Sequence, residues 1–504
     1  MAQELTWQQA LDAAYSAFDK SDYKSAYSLF SQLLRAKPNN GSVHLGFGKL
    51  LAQLEEFDQA IQHISNACKL LPQRFDCLLE LAHLFDLVHS QKDVKTTLEF
   101  ALDQFPNEVE VIYHLATFDK ETGNFQRALT LSQKALTLLR LEELDKQEIS
   151  GIENGQHVIN LALHFYLLQL SLPLKQDYEA MCEALLSLIK HVRVDDNKML
   201  LNYALGNVEE KRQHFAQAFD YWYHANQYQR GLCSLSTGEL APFFNSIKNL
   251  RSNEHQLPTA EEQPSENFCP IFILGLPRTG STLLEQLLCE FEDVDSLGEE
   301  PILAKHCAGY LAHTLQQPFP EFITNIKQED ARTAANIYIN ALRKRQLNSS
   351  FVIDKLPSNF QSIDLIVALF PNAKIVHIRR EFKDTAISIF KNYFAENEPY
   401  FCDLQELDIY RAHYEDLMAH FHNKYPRAIF DINYEALVRD PHANIQALIN
   451  FCGIKTKKAQ QKSELNSLTR IKTLSSTQAI APVSAGSIGS YKNYEEQLRH
   501  AGLL

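Results

Sequence analysis

A chain of 504 residues that is 45% apolar and 22% charged reads as an ordinary globular protein of two to four domains. Its formal net charge of −14 excludes the basic surface that non-specific nucleic-acid binding needs. Nine cysteines with no C-x-x-C pair read as free thiols of a reducing compartment, without the spacing of a zinc site.

The opening, MAQELTWQQALDAAY, lacks the basic and apolar regions of a signal peptide. The most apolar long run, residues 158–174, is broken by Asn160, His164 and Gln169, which suits a buried helix better than a membrane span. A cytoplasmic protein without a membrane span is expected.

Along the first half, Ala26, Ala60, Val94 and Ala128 recur every 34 residues, as do Pro38, Pro72 and Pro106 and the larger Phe30, Ile64 and Leu98. That period belongs to tetratricopeptide repeats, each a helix-turn-helix. Small residues (Ala14, Gly48 and Ala116 on first helices) let two backbones approach, and the proline ends the second helix. These repeats are expected over 1–140. Further repeat-like helices are expected over 141–253, with one more unit near 199–232 in "YALGNVEEKRQHFAQAFDYWYHAN". The polar stretch 254–267 reads as a linker.

From residue 268 onward the pattern changes. "PIFILGL" (270–276), "FVIDKL" (351–356), "AKIVHI" (373–378) and "AIFDINY" (428–434) are β-rich runs, each followed by a helical pattern. Strands alternating with helices predict a parallel α/β domain over 268–504.

"GLPRTGSTLL" (275–284) follows the first of these strands and opens a helix. It is close to a phosphate-binding P-loop, with Gly275, Gly280 and Thr282 in place. Ser281 stands where the lysine belongs, and Arg278 supplies a cation. Backbone N–H groups at a helix N-terminus, with Thr279, Gly280 and the Ser281 and Thr282 hydroxyls, suit an anion. The plain alternative is a tight capped turn.

P-R-[ST]-G-[ST]-[ST] after a buried strand resembles the 5′-phosphosulfate loop of sulfotransferases. Those enzymes use 3′-phosphoadenosine 5′-phosphosulfate (PAPS) and release 3′-phosphoadenosine 5′-phosphate. The whole looks like the tetratricopeptide-containing sulfotransferases, with a catalytic half similar to the tyrosylprotein branch. The resemblance implies roles for further residues. "SLGEEPIL" (296–303) implies Glu300 as general base, with Glu299 the fallback. "FVIDKLPSNF" implies Lys355 as a cation on the transferring group. "IVHIRREFKDTAISIF" implies Arg380 and Ser388 at the 3′-phosphate, with Arg379 the weaker choice. "INYEALVRDP" implies Tyr434 at the nucleotide. The C-terminal "LSSTQAIAPVSAGSIGSYKNYEEQL" implies Ser475, or Ser476 beside it, at the sulfuryl oxygens, and Lys492 over the phosphates.

The implied function is PAPS-dependent sulfuryl transfer to a hydroxyl acceptor, with a peptide or protein tyrosine held by the repeats as the finer expectation and homodimerisation left open. No metal is expected at the loop. Two rivals stand. One is a P-loop kinase or NTPase, with Asp354 as a Mg²⁺ ligand. The other is a non-catalytic repeat adaptor.

Overall fold

The computed structural model describes residues 6–141, 144, 152–233, 237–250, 268–394, 398–455 and 485–503. By compactness the chain divides into two units, one up to Asp119 together with Leu342–Leu347, the other comprising most of the chain from Lys120 onward.

In the first unit, helices α1 (Trp7–Asp19), α2 (Tyr23–Ala36), α3 (Gly41–Gln53), α4 (Phe57–Leu70), α5 (Phe75–Leu87) and α6 (Gln91–Gln104) follow the expected period; α7 (Val109–Glu121) crosses the boundary at Asp119, and α8 (Phe125–Leu138), in the second unit, keeps the period. The periodic residues Ala26, Ala60, Val94 and Ala128 are all buried, as are Phe30, Ile64 and Leu98. Pro38 and Pro72 lie just past the ends of α2 and α4, where a residue with no N–H does not interrupt the helix. Gly48 shows why the small position is small. A Cβ there would lie 2.6 Å from Ile64 Cδ1, so only glycine lets α3 lie this close to α4.

The second unit begins its own helical part with α8 and continues through α9 (Ile152–Ser171), α10 (Tyr178–Leu188), α11 (Asp195–Lys211), α12 (Phe215–Leu232) and α13 (Leu240–Lys248). The expected repeat-like unit near 199–232 is the α11–α12 pair. Gly206 on α11 faces Trp222 on α12, where a Cβ would fall 2.3 Å from the indole, which is the Gly48 arrangement again.

The sheet has five strands in the order β2-β3-β1-β4-β5: β1 (Cys269–Gly275), β2 (Val294–Gly298), β3 (Phe351–Asp354), β4 (Lys374–Arg379) and β5 (Ile429–Asn433). Every pairing is parallel. Ile271, Ile273, Ile353, Val376 and Ile378 are each 0% exposed, because helices cover both faces of a parallel sheet. Four strands fall where the β-rich runs predict them. β2 does not announce itself: "VDSLG" is short, holds an acid and sits at the sheet edge.

The α12 helix is packed into the sheet-bearing part of its unit. Phe219 stacks on Phe390 at 5.0 Å, and Trp222 lies against Tyr494 at 5.6 Å. Asn226 donates to the Phe390 carbonyl at 2.7 Å, and Arg230 pairs with Glu406 at 3.0 Å. The expected linker, 254–267, lies outside the described residues.

Candidate active site

β1 lies at the centre of the sheet, with β3 on one side and β4 on the other, so the chain reverses its direction of winding there. Open α/β sheets bind ligands at this switch point, beyond the carboxyl ends of the strands. Every strand delivers a predicted site residue at its carboxyl end. β1 leads into Arg278–Thr282, β2 into Glu299 and Glu300, β3 into Lys355, β4 into Arg380, and β5 into Tyr434.

The loop after β1 is held in a conformation that costs energy. Arg278 has φ +67° and Gly280 φ +99°. The arginine pays a steric penalty there that a glycine does not. A Cβ at position 280 would lie 2.3 Å from Cδ2 of Tyr434, so the ring closes one side of the loop. Thr279 donates its hydroxyl to the Leu276 carbonyl at 2.7 Å, bracing the turn. Helix α14 (Ser281–Cys289) then starts with Gly280 as its cap and no side-chain capping bond. Its first turn therefore points backbone donors toward the strand ends, with buried Ser281 and Thr282 beside them.

Two arginines and a serine tie this loop to the end of β4. Buried Arg278 donates from Nε to Ser388 Oγ at 3.1 Å. Arg380 donates through Nη1 to the Arg278 carbonyl at 3.1 Å and through Nη2 to the Ser487 carbonyl at 2.7 Å, and its guanidinium lies 4.7 Å above the Tyr434 ring. Burial first, and the neighbouring Arg380 second, push the Arg278 guanidinium down to about 10, against the pull of Glu299 and Tyr434. It stays charged at neutral pH. Among the described residues, the buried Nε of Arg380 has no hydrogen-bond acceptor. Two adjacent cations and a buried, unused donor describe a place built for an anion.

Lys355 sits across the loop, fully buried. Its ammonium donates to Glu299 and lies 3.5 Å from Glu285 of α14. Glu285 in turn accepts from the Ser296 hydroxyl. The carboxylate that meets Lys355 is therefore Glu299. Among the described residues, Glu300 has no side-chain partner at Lys355.

Residues 485–494 close the other side. Asp384, 1% exposed, accepts from the Gly489 N–H at 2.7 Å, the Tyr491 N–H at 2.9 Å and the Ser490 hydroxyl at 3.0 Å. The Tyr434 hydroxyl meets Ser487 Oγ at 2.9 Å. Lys492 lies in this segment with an exposed side chain, and no described contact joins its ammonium to the arginines. Ser475 and Ser476 lie outside the described residues.

Glu285, Asp384 and Ser487 carry no signal in the sequence. Glu285 and Asp384 read as polar helical positions, and only the packing of distant segments gives them partners. Asp354 has both carboxylate oxygens engaged inside the core, by Tyr338 and Asn359 at 2.8 Å each, and is 0% exposed. A Mg²⁺ ligand needs free oxygens on the ligand side, so the kinase reading loses the residue it leaned on.

Residues 270–458 match the sulfotransferase family model, and residues 17–82 match a tetratricopeptide-repeat model. This chain joins tetratricopeptide repeats to a sulfotransferase-family domain. An uncharacterized protein of Aquifex aeolicus (strain VF5) is 28% identical over 59% of this chain, and the chain spans 40% of that relative's length. The sulfotransferase domain of the Synechococcus PCC 7002 olefin synthase is a structural neighbour at 20% identity and TM-score 0.34, over 47% of this chain and 91% of that one. A sulfotransferase from Mycobacterium tuberculosis H37Rv is similar at 14% identity and TM-score 0.26, over 64% and 99%. No helix among the described residues is long and apolar enough to cross a membrane.

Proposed function

We propose that the α/β part transfers a sulfuryl group from PAPS to a hydroxyl acceptor. The observation that carries this reading is the joining of Arg278, Ser388 and Arg380 through one hydrogen-bonded cluster, with the buried Nε of Arg380 left without an acceptor among the described residues. A donor set of that kind suits a phosphate. The glycine at 280, hemmed in by Tyr434, keeps the loop close enough for backbone N–H groups to reach one as well.

In this reading residues 278–282 hold the 5′-phosphosulfate, and Arg380 with Ser388 holds the 3′-phosphate. Tyr434 packs on the nucleotide side, with Ser475 at the sulfuryl oxygens and Lys492 over the phosphates. When bound, PAPS supplies a sulfuryl group attached to a good leaving phosphate. Lys355 and Arg278 stabilise the negative charge that grows on the leaving oxygen, the usual lever in phosphoryl-type transfer. A carboxylate of the Glu299–Glu300 pair takes the acceptor's hydroxyl proton. Geometry favours Glu299, which already touches Lys355, while the tyrosylprotein resemblance favours Glu300. Lys355 must turn from Glu299 to the phosphosulfate, and that frees the carboxylate to act as a base. A peptide acceptor presented by the repeats is the finer form of the proposal, supported by the repeat segment itself.

The test is thermal stabilisation by 3′-phosphoadenosine 5′-phosphate against ATP with Mg²⁺. A ligand at 100 times its Kd stabilises by about 2.7 kcal/mol. Stabilisation by the first alone is the expected result. Stabilisation by ATP·Mg²⁺ alone returns the kinase reading.

A further inference from the structure

A second cluster lies on strands β4 and β5 ahead of the proposed anion site. His377 on β4 and Asp431 on β5 are register partners, and His422 reaches them from the helix Leu404–Lys424. His377 Nδ1 lies 2.7 Å from Asp431 Oδ1, and His422 Nε2 lies 2.7 Å from Asp431 Oδ2. One ligating atom from each of the three residues falls within 4.8 Å of the others.

Each ring of this cluster holds its outer nitrogen on an oxygen and turns the other toward Asp431. His422 Nδ1 lies 2.7 Å from the Met418 carbonyl, which can only accept, so this nitrogen carries the hydrogen. A neutral imidazole has one N–H. His422 Nε2 therefore presents a lone pair to a carboxylate oxygen, and two lone pairs at hydrogen-bond distance repel. A positive species belongs between them. On the other side, His377 Nε2 meets the Tyr414 hydroxyl. That hydroxyl can donate to Nε2 or accept from Nε2–H, and the second tautomer leaves the Nδ1 lone pair on the same carboxylate. Both rings then anchor their outer N–H on an oxygen and turn a lone pair inward, the arrangement of metal-binding histidines.

We propose that His377 Nδ1, His422 Nε2 and the Asp431 carboxylate bind a divalent cation of the zinc class, with water completing the shell. A cation engages all three groups at once. Zinc–ligand bonds of about 2.0–2.1 Å imply tetrahedral edges of about 3.3 Å, so each 2.7 Å contact must open by about 0.6 Å. The Asp431 and His422 side chains are 44% and 32% exposed, which gives both room to move and a path for the ion. Arg379 is the nearby opposing charge, and the Asp431 carboxylate offsets it. His377 stands three residues before Arg380 and Asp431 three before Tyr434, so the cation pins the two strand ends that lead into the anion site.

The experiment is Zn²⁺ binding to the full chain by competition with a chromophoric chelator, alongside Asp431→Asn, His422→Ala and the milder His422→Gln. Wild type is expected to bind one Zn²⁺ about 100-fold more tightly than each folded variant, and its Tm to rise with Zn²⁺ where theirs does not. Equal binding by wild type and variants overturns the proposal. The nine cysteines are competing ligands, so Co²⁺ is substituted as a check. A d–d spectrum without thiolate charge transfer is expected, and a strong thiolate band overturns the assignment. This result is independent of the nucleotide assay, so either reading can fail alone.

Discussion

Lys355 is wholly buried, while Glu299, the carboxylate that holds it, is 40% exposed. A buried ammonium needs a partner, since an unpaired buried charge costs several kcal/mol. Glu299 is at the same time near enough to solvent to give the lysine up when a stronger anion arrives.

It follows that Glu299→Gln leaves nucleotide binding intact or tightens it, because one of the two carboxylates competing for Lys355 is gone. Turnover with a hydroxyl acceptor falls by about 10²–10⁴ if Glu299 is the base. Single-turnover rates of Glu299→Gln and Glu300→Gln decide between them. If only Glu300→Gln loses turnover, the tyrosylprotein-like assignment holds and Glu299 serves only to hold the lysine.

Arg380→Ala weakens 3′-phosphoadenosine 5′-phosphate by about 1.5–3 kcal/mol, the worth of a charge-assisted contact. Adenosine 5′-phosphosulfate, which lacks the 3′-phosphate, is affected far less. Calorimetric titration of both ligands reads the difference, and equal weakening removes Arg380 from the 3′-phosphate.

Gly280→Ala adds a methyl group 2.3 Å from the Tyr434 ring at a backbone angle of +99°. Two separate penalties act. Removing the ring as well, in Gly280→Ala/Tyr434→Ala, relieves the clash and leaves the backbone strain of about 1–3 kcal/mol. Thermal melts are expected to show partial rescue by the double change; full rescue shows that the angle relaxes.

Asp354 offers a test against pH. Burial pushes its carboxyl up to about 7, against hydrogen bonds from Tyr338 and Asn359. The folded state therefore keeps a proton that the unfolded chain has already released. Its contribution is fully present below about pH 4 and is lost as pH rises through 7. The Tm of wild type relative to Asp354→Asn is expected to be higher at pH 5 than at pH 8. A difference that stays constant with pH shows an ordinary carboxylate.

A fragment starting at residue 255 removes α12 and bares Phe390, Tyr494 and Glu406. It is expected to aggregate, or to melt lower than a fragment starting at 152, which keeps α9 to α13. Soluble 255–504 with full nucleotide affinity shows that α12 is dispensable to the site.

The repeats are legible in the sequence because one physical constraint, a small residue where two helices cross, recurs at a fixed spacing. Ala26 and Ala60 display it without ambiguity. The loop at 275–282 is legible because its backbone requires glycine, and the strand before it is an unbroken apolar run. The pairing of Lys355 with Glu299 is not, since adjacent glutamates look alike until the fold brings one of them to Lys355. Asp384 and Ser487 are hidden for a different reason. Each meets a partner about a hundred residues away, Asp384 at Gly489 and Ser487 at Arg380, and nothing local marks either end. The attachment of α12 to the helix bearing Ser388 is hidden likewise, because an apolar helix face does not say which neighbour it covers.

The closure of the site by residues 485–491 has a consequence for the order of biosynthesis. Arg380 and Asp384 receive their partners, Ser487, Gly489 and Tyr491, only after about a hundred further residues have been translated. A nascent chain can complete its repeats and stack all five strands while this seam is still open. The repeats are thus complete before the α/β part is finished.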